Sequence, residues 1–213
     1  MIMSDKNYYS QFGQDQYILE TFFSSQMSGT YVDIGAYDGV LISNTYAFAK
    51  RGWTGYCIEP LEDIYQQLVK NRPESVCINA IISDSTGESE FLSISDGPRM
   101  LSGEMSKYHP DHLKRIDTEL IRDGGTKELI KIKSYRFEDV IRHHIVDLLS
   151  VDVEGGELDI LKSIDYGKYY IKIITVENNY GDPEIAEFMK SVGFDYVANR
   201  GDQIFKNRRF LNY

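Results

Sequence analysis

Residues 31–39 constrain the fold of this chain more than any other segment. The stretch begins as an apolar strand and runs into a turn that contains Gly35 and Gly39. A second apolar strand, at residues 55–58, is followed directly by Glu59. A strand, a glycine turn, a crossover helix and a second strand that ends on an acid make up the βα unit that binds nucleoside-containing ligands in doubly wound α/β sheets. The segment therefore predicts such a sheet, with Glu59 placed to accept hydrogen bonds from ribose hydroxyls.

The charge of this turn distinguishes it from a dinucleotide-binding turn. Dinucleotide turns carry three glycines, which let the backbone approach a pyrophosphate. This turn has two glycines and places Asp33 and Asp38 beside them. Two carboxylates repel a diphosphate and attract a cation, so the turn favours a ligand such as S-adenosylmethionine, whose methionyl tail carries an ammonium group.

Composition limits the class of protein. A chain of 213 residues suits one α/β domain, residues 1–213, with a well-buried core. The 33 acidic and 23 basic residues give a net charge of -10, which disfavours binding to a nucleic-acid backbone. We find no signal-peptide pattern and no apolar run of membrane-spanning length, so we expect a soluble, cytoplasmic protein with no membrane partner. Cys57 and Cys77 fall in predicted strands and are expected to be small buried side chains.

Helical and strand patterns alternate along the chain in the way that a doubly wound sheet requires. The third predicted strand, at residues 76–82, is almost entirely apolar, so we expect helices to cover both of its faces. Predicted helices lie at residues 40–50, 61–71, 137–144, 157–163 and 183–192, and predicted strands at 55–58, 76–82, 90–94, 128–135, 146–153, 171–176, 196–198 and 203–205.

A polar, glycine-punctuated segment at residues 96–127 interrupts the alternation. Residues 110–122 within it have helical spacing, with Pro110 at the start and a glycine pair just beyond the end. Insertions of this length in a compact domain are often lids or binding loops, so we expect a substrate lid. His109 and His112 belong to the insertion and fall on one face of the helix, where either could reach over a site.

A second group of acids follows the strand at residues 146–153. Asp152 and Glu154 are two residues apart, so they share one side of the strand end, where two glycines at 155 and 156 let the chain turn. Ligands of open α/β sheets bind at such carboxyl ends. Asp152 is a candidate general base, with Glu154 beside it and His109 as the competing candidate.

Three segments together resemble the FkbM family of class I S-adenosylmethionine-dependent methyltransferases: residues 32–39, the Glu59-Pro60 pair and residues 150–155. Residues 11–15 also resemble the leading motif of that family. The resemblance implies a seven-stranded, mostly parallel Rossmann-like sheet with strand order 3-2-1-4-5-7-6, and methyl transfer from S-adenosylmethionine to a hydroxyl of a sugar, a glycan or a natural product. The insertion has no firm match, and we expect the choice of acceptor to lie there.

The resemblance also implies roles for individual residues. Residues 11–15 are expected to fold over the cofactor, the glycine turn to hold its methionyl part, Glu59 its ribose, and residues 80–84 its adenine. The expected cofactor-binding residues are Gln11, Phe12, Gln14, Asp15, Asp33, Ile34, Gly35, Ala36, Asp38, Gly39, Asn44, Glu59, Pro60, Ala80, Ile81, Ser83, Asp84 and Asp152.

Three alternatives stay open. Asp152, Glu154 and Glu177 offer hard oxygen ligands that could hold Mg²⁺ together with a substrate diol, although a metal-free site is the simpler expectation. An NAD-dependent epimerase or reductase would share the βα unit, but the chain shows no Tyr-x-x-x-Lys catalytic pair. A non-catalytic cofactor-binding module would have no turnover to lose when Asp152 is replaced. The oligomeric state is open.

Overall fold

A central seven-stranded sheet organises the protein. The computed structural model describes residues 8–211. The strands of the central sheet are β1 (Thr30–Ile34), β2 (Thr54–Ile58), β3 (Ser75–Ile78), β8 (Ile145–Val151), β9 (Tyr170–Val176), β10 (Phe194–Arg200) and β11 (Asp202–Asn207). They lie in the order β3-β2-β1-β8-β9-β11-β10. All neighbours are parallel except β11, which is antiparallel to β9 and β10. Counted along the chain, this is the order 3-2-1-4-5-7-6, as predicted.

Helices cover the sheet, and two of them are shorter than the sequence predicts. The helices are α1 (Gln14–Phe22), α2 (Tyr46–Ala49), α3 (Glu62–Asn71), α4 (Pro110–Asp123), α5 (Phe137–Val140), α6 (Glu157–Ser163) and α7 (Pro183–Ser191). The helix predicted at 40–50 reduces to α2, because Asp38 binds the backbone N–H groups of Val40 and Leu41 and Ile42 adopts a φ of 48°. The helix predicted at 137–144 ends after one turn, where Ile141 becomes extended.

The core lies on both faces of the sheet because successive strand side chains point in opposite directions. In β1, Tyr31 packs into one apolar cluster with Phe48 and Trp53. Val32 and Ile34 pack into the other cluster, which continues through β8 and β9. Apolar clusters therefore occupy both faces of the sheet, which leaves the carboxyl ends of the central strands to form a site.

A second, four-stranded sheet flanks the first and was not predicted. It contains β4 (Ile81–Ile82), β5 (Gly87–Ser95), β6 (Gly103–Glu104) and β7 (Thr126–Tyr135), in the order β4-β7-β5-β6. The predicted strands at 90–94 and 128–135 pair with each other antiparallel, in register from Gly87↔Ser134 to Ser95↔Thr126. The insertion is the long connection between them.

The third strand also differs from its prediction. The stretch predicted as one strand at 76–82 divides, because β3 ends at Ile78 and residues 81–82 pair with β7 of the second sheet. Since β3 lies at the edge of the central sheet, its Val76 is 54% exposed and the strand is not covered on both faces.

The structure also bears on the expectations about membrane-spanning segments and cysteines. Among residues 8–211, every helix is too short or too polar to span a bilayer. Cys57 is buried in β2 and Cys77 is half-buried in β3, and both thiols are free.

Candidate active site

A cleft of about 430 Å³ opens at the carboxyl ends of β1, β2, β8 and β9. Because parallel strands end at one edge of the sheet, residues from distant parts of the chain meet there. The cleft is lined by Gln11, Phe12, Asp33, Ile34, Gly35, Ala36, Tyr37, Leu41, Ile42, Ser43, Asn44, Ile58, Glu59, Pro60, Leu61, Ala80, Ile81, Ile82, Ser83, Phe91, Arg99, Met100, Ser102, Glu104, Lys107, Arg115, Ser150, Asp152, Val153, Glu154, Gly155, Gly156, Asp159, Ile160, Glu177 and Asn179.

Gly35 brings the ends of three strands together. Its N–H donates to the carbonyl of Ile58 at 3.1 Å, and the N–H of Asp152 donates to the carbonyl of Ile34 at 3.0 Å. Gly35 has a φ of 86°, and a Cβ atom there would overlap the carbonyl oxygen of Asp152. The glycine is thus required by the protein's own backbone, whereas the resemblance had implied that it holds the methionyl part of the cofactor.

The carboxylate of Asp33 belongs to a buried polar network behind the cleft. Its Oδ2 accepts a hydrogen bond from Thr45 Oγ1 at 2.5 Å, and Thr45 Oγ1 also accepts from both terminal nitrogens of the buried Arg72. Burial raises the pKa of Asp33, and the positive charge of Arg72 opposes that rise. Asp33 therefore lines the cleft with a carboxylate that is already hydrogen-bonded.

Four other residues that were expected to bind the cofactor do not line the cleft and instead hold the segments around it. Asp38 and Gly39 do not line the cleft: Asp38 Oδ1 accepts the N–H groups of the following loop, and the carbonyl of Gly39 accepts a hydrogen bond from Arg72 at 3.0 Å. Gln14 and Asp15 are buried and bind the segment before α1. The side chain of Gln14 accepts the N–H of Phe12, and the carboxylate of Asp15 accepts the N–H groups of residues 9 and 10. They position Gln11 and Phe12, which do line the cleft.

Glu59 is a buried carboxyl group in the cleft wall. It is 5% exposed, and its Oε1 accepts the N–H of Leu61 at 2.8 Å. Burial raises the pKa of Glu59 to about 7, while nearby N–H groups and Arg99 oppose the rise. Pro60, Ala80, Ile81 and Ser83 line the same half of the cleft. Asp84 lies outside the cleft, where it forms an ion pair with Lys107 at 3.1 Å.

Three carboxyl groups meet at the opposite half of the cleft. Asp152 and Glu154 follow β8, Glu177 follows β9, and one oxygen from each lies within 4.8 Å of the others. Burial, followed by mutual repulsion, raises the pKa of Asp152 and of Glu177 well above the ordinary range and that of Glu154 to about 8. Because like charges so close cannot all be ionised at neutral pH, the three carboxyl groups, here called the acid trio, hold protons between them.

Glu154 holds an unusual backbone conformation that aims its side chain at the insertion. Its φ is 61°, which is uncommon for a residue with a side chain and costs free energy. Glu154 Oε2 lies 3.4 Å from His112 Nδ1 and 3.6 Å from a terminal nitrogen of Arg115. The two residues that contact it both belong to α4, so the insertion reaches the acid trio.

The two histidines of the insertion lie in different surroundings. His109 caps α4 by accepting the N–H of Asp111 at Nδ1, stacks on Tyr180 with ring centroids 4.6 Å apart, and does not line the cleft. His112 is fully buried, and its Nε2 lies 3.1 Å from the carbonyl of Leu101. Since a carbonyl only accepts, His112 Nε2 carries a proton. His112 Nδ1 then accepts from the hydroxyl of Tyr180 at 3.1 Å, with Glu154 Oε2 beside it. The structure thus places the histidine expected to be catalytic away from the acids and brings His112 beside them.

The sequence of the chain identifies the class of this site. A family model described as the methyltransferase FkbM domain matches residues 33–196, which run from β1 into β10. The chain belongs to the FkbM methyltransferase family. Methyltransferase sdnD of Sordaria araneosa is 24% identical to it over 170 residues, which make up 68% of this chain. Those residues cover 65% of sdnD, so the chain spans slightly less than two thirds of the length of that relative.

Two solved structures resemble this chain more distantly. A TehB-like SAM-dependent methyltransferase from Corynebacterium glutamicum has a TM-score of 0.48 at 10% identity, over 93% of this chain and 89% of that one. A fibrillarin pre-rRNA processing protein from Methanococcus jannaschii has a TM-score of 0.40 at 12% identity, over 84% and 65% of the two chains. The strand order and the family, rather than these distant likenesses, identify the fold.

The family implies S-adenosylmethionine, and the residues of the cleft fit it. Asn44 is 6% exposed, and its Nδ2 donates to Ser150 and to Asp202 Oδ2. Its amide orientation is therefore fixed, and its Oδ1 is a buried acceptor with no hydrogen-bond partner among residues 8–211. An unpaired acceptor in one half of the cleft suits an ammonium group, and the Glu59 carboxyl in the other half suits a ribose diol.

Several residues of this site were not predicted from the sequence. Arg99, Lys107 and Arg115 come from the insertion, which was expected to contribute but whose contacts no local pattern fixes. Asn179 lies two residues after Glu177 and would have been found by extending the strand-end argument to β9. Asp202, on β11, reaches the site from the far end of the chain.

Proposed function

We propose that this FkbM protein transfers the methyl group of S-adenosylmethionine to a hydroxyl oxygen of a sugar, a glycan or a natural product. The observation that carries the proposal is the acid trio beside a cleft suited to that cofactor. Methylation of a hydroxyl releases one proton, and a partly ionised group of carboxyls with raised pKa values is suited to take it.

The cofactor supplies an activated methyl group on a sulfonium, so the protein has to provide alignment and a proton acceptor. In the proposed reaction the hydroxyl oxygen of the acceptor forms a bond to the methyl carbon, the bond from that carbon to sulfur breaks, and the hydroxyl proton passes to Asp152. Asp152 is the candidate base because it follows β8 directly, next to the glycine turn of β1.

The other members of the trio are proposed to set the charge of the base. Burial and then repulsion from Glu177 raise the proton affinity of Asp152, and repulsion from Asp152 raises that of Glu154. Arg115, 3.6 Å from Glu154, partly neutralises the group. A base with a pKa nearer to neutrality accepts a proton more effectively than an ordinary carboxylate.

Two features of the sequence argue against a nucleic-acid acceptor and so support the proposed class: the residues that follow β8 and the net charge of the chain. Methyltransferases that act on amines of nucleic-acid bases often follow the fourth strand with Asn/Asp-Pro-Pro-Tyr/Phe, whereas this chain has Asp152 followed by Val, Glu and Gly. The net charge of -10 also opposes a polyanionic acceptor.

A labelled-methyl assay tests the proposal. The full chain is incubated with S-adenosylmethionine that carries a ¹³C methyl group and with a panel of glycosides, glycans and hydroxylated natural products. We expect a new O-methyl resonance with at least one acceptor and its loss with Asp152→Asn, while the affinity for S-adenosylhomocysteine is retained. Methyl transfer only to nitrogen or carbon acceptors would contradict the proposal, and so would tighter binding of NAD than of S-adenosylhomocysteine.

A magnesium-assisted reaction is a second candidate, favoured by the distances within the trio. Three carboxylate oxygens within 4.8 Å of one another could bind one hard cation together with an acceptor diol. Turnover that is lost in a chelator and restored by Mg²⁺ would favour this candidate, provided that Glu177→Gln shows no such restoration. Unchanged turnover in the chelator would favour the metal-free reaction.

A further inference from the structure

We infer that the acceptor enters the cleft past three exposed apolar side chains, and that it carries its hydroxyl on an apolar scaffold. Phe12, Leu41 and Ile42, here called the apolar rim, line the same cleft as the acid trio. The inference rests on the proposed function and narrows its acceptor class.

All three side chains of the apolar rim are exposed. Phe12 is 59% exposed, Leu41 is 53% exposed and Ile42 is 36% exposed. Single exposed apolar residues are common on protein surfaces, but a group of them at the mouth of a binding cleft marks a place where a ligand covers them. The group carries no charge, so an apolar surface is the chemistry that it recognises.

The rim is held in place by the backbone around it. Residue 10 bridges to Ile42, and Asp38 Oδ1 binds the N–H groups of Val40 and Leu41 at 2.8 and 2.7 Å. Ile42 has a φ of 48°, a strained conformation for a β-branched residue. Strain of this kind persists where the surrounding structure enforces it, often at binding sites.

Phe12 is fixed by the turn that joins the last two strands of the sheet. It packs so closely on Gly201, in the turn between β10 and β11, that a Cβ atom at Gly201 would overlap its ring. Because β11 neighbours β9, the apolar rim lies at the half of the cleft that holds Glu177 and Asn44.

The first part of the insertion covers the other half, while α4 reaches the acid trio through His112 and Arg115. Arg99 binds Asp63 of α3 through two contacts of 2.7 Å, and Glu104 accepts a hydrogen bond from Ser83 at 3.1 Å. Lys107 binds Asp84 and Asp159, the latter at 2.7 Å.

These contacts anchor the first part of the insertion over the half proposed to hold the nucleoside, whose walls include Glu59 and Ser83. Gly155 and Gly156 admit the Lys107 segment, since Cβ atoms there would approach it to 3.0 and 3.1 Å. The acceptor therefore reaches Asp152 past the apolar rim. The sequence had instead indicated that the insertion selects the acceptor.

The test uses the full chain saturated with S-adenosylhomocysteine, ¹³C-labelled at leucine and isoleucine methyl groups. Titration with 2-naphthol, a hydroxyl on an apolar ring system, is expected to shift the resonances of Leu41 and Ile42, and glucose at the same concentrations is expected to shift neither. Leu41→Ser is expected to weaken naphthol binding at least about tenfold while it leaves the affinity for S-adenosylhomocysteine within about twofold.

Leu129→Ser is the matched control, because Leu129 is 56% exposed on β7 and does not line the cleft. Naphthol shifts that map away from the rim, equal effects of the two leucine variants, or glucose binding as tight as naphthol binding would overturn the inference. If S-adenosylhomocysteine itself failed to bind, the proposed function would fail, and titration of the free protein with naphthol would still decide whether the rim binds an apolar hydroxyl compound.

Discussion

Gly35 and Asp152 meet so closely that any side chain at Gly35 would overlap the carbonyl oxygen of Asp152. This contact joins the glycine turn of β1, which walls the cleft, to the end of β8, which carries the acid trio. The position of the candidate base relative to the cofactor cleft therefore depends on a glycine.

Gly35→Ala is expected to lower the free energy of unfolding by more than about 3 kcal/mol, because it adds a backbone overlap to the strain of a φ of 86°. Denaturant unfolding followed by circular dichroism measures the change. Gly87→Ala is the control, since a Cβ atom at Gly87 has no neighbour within 4 Å, and it is expected to change stability by less than about 0.5 kcal/mol. Equal stabilities of the two variants would show that β1 and β8 do not meet in this way.

Glu59 is expected to make cofactor affinity depend on pH. Its pKa of about 7 in the free protein means that about one tenth of the group is ionised at pH 6 and most of it at pH 8. Since ribose hydroxyls donate to the carboxylate, S-adenosylhomocysteine should bind about tenfold more tightly at pH 8 than at pH 6.

Isothermal titration calorimetry with Glu59→Gln checks this assignment. The variant should bind about 10- to 100-fold more weakly at pH 8 and lose the pH dependence. Glu62→Gln, an exposed acid at the start of α3, should behave as the unaltered protein. A pH dependence that survives in Glu59→Gln would assign it to another group.

Glu154→Gln is expected to stabilise the free protein in alkaline solution. The pKa of Glu154 is raised to about 8 from an ordinary value of 4.5, so the folded protein holds a proton that the unfolded chain releases. The stability that this group contributes is therefore complete below about pH 4.5 and is lost as pH rises through about 8. At pH 9 the variant should be more stable by about 2 to 4 kcal/mol.

Thermal unfolding of both proteins at pH 4 and pH 9 measures this effect. The difference should be small at pH 4, where the carboxyl group is protonated in the folded protein and largely protonated in the unfolded chain. A stabilisation that is the same at both pH values would mean that it comes from relief of packing rather than from charge.

The two histidines of the insertion should differ in their effects. His109→Ala removes an exposed helix cap and is expected to cost about 1 kcal/mol with turnover changed less than about twofold. His112→Ala removes a fully buried ring and its hydrogen bond to Leu101, and is expected to cost about 3 kcal/mol. Loss of turnover in a normally stable His109→Ala would instead favour His109 as the general base.

The regular alternation of strands and helices predicted a doubly wound sheet, and the resemblance to the FkbM family implied the order of its strands. The division of residues 75–82 between two sheets could not be predicted, because the partner of Ile81 and Ile82 is β7, about fifty residues away along the chain. The loss of most of the helix at 40–50 follows from one side chain, Asp38, which was expected to face a ligand and instead binds the loop N–H groups.

The site was predictable where strand ends determine it. Asp152, Glu154 and Glu177 lie together because parallel strands end at one edge, and Glu59 lies in the cleft for the same reason. The burial of His112 depends on how α4 packs against the Leu101 and Tyr180 segments, which helical spacing alone does not specify. The same spacing made His109 and His112 equivalent in the sequence.

A crystal structure of the full chain with S-adenosylhomocysteine tests the central claim most directly. The account predicts ribose hydroxyls within hydrogen-bonding distance of Glu59, the ammonium group on Asn44 Oδ1, and the sulfur facing Asp152 and the apolar rim. A ligand bound outside the cleft, or a sulfur atom that faces away from the acid trio, would contradict it.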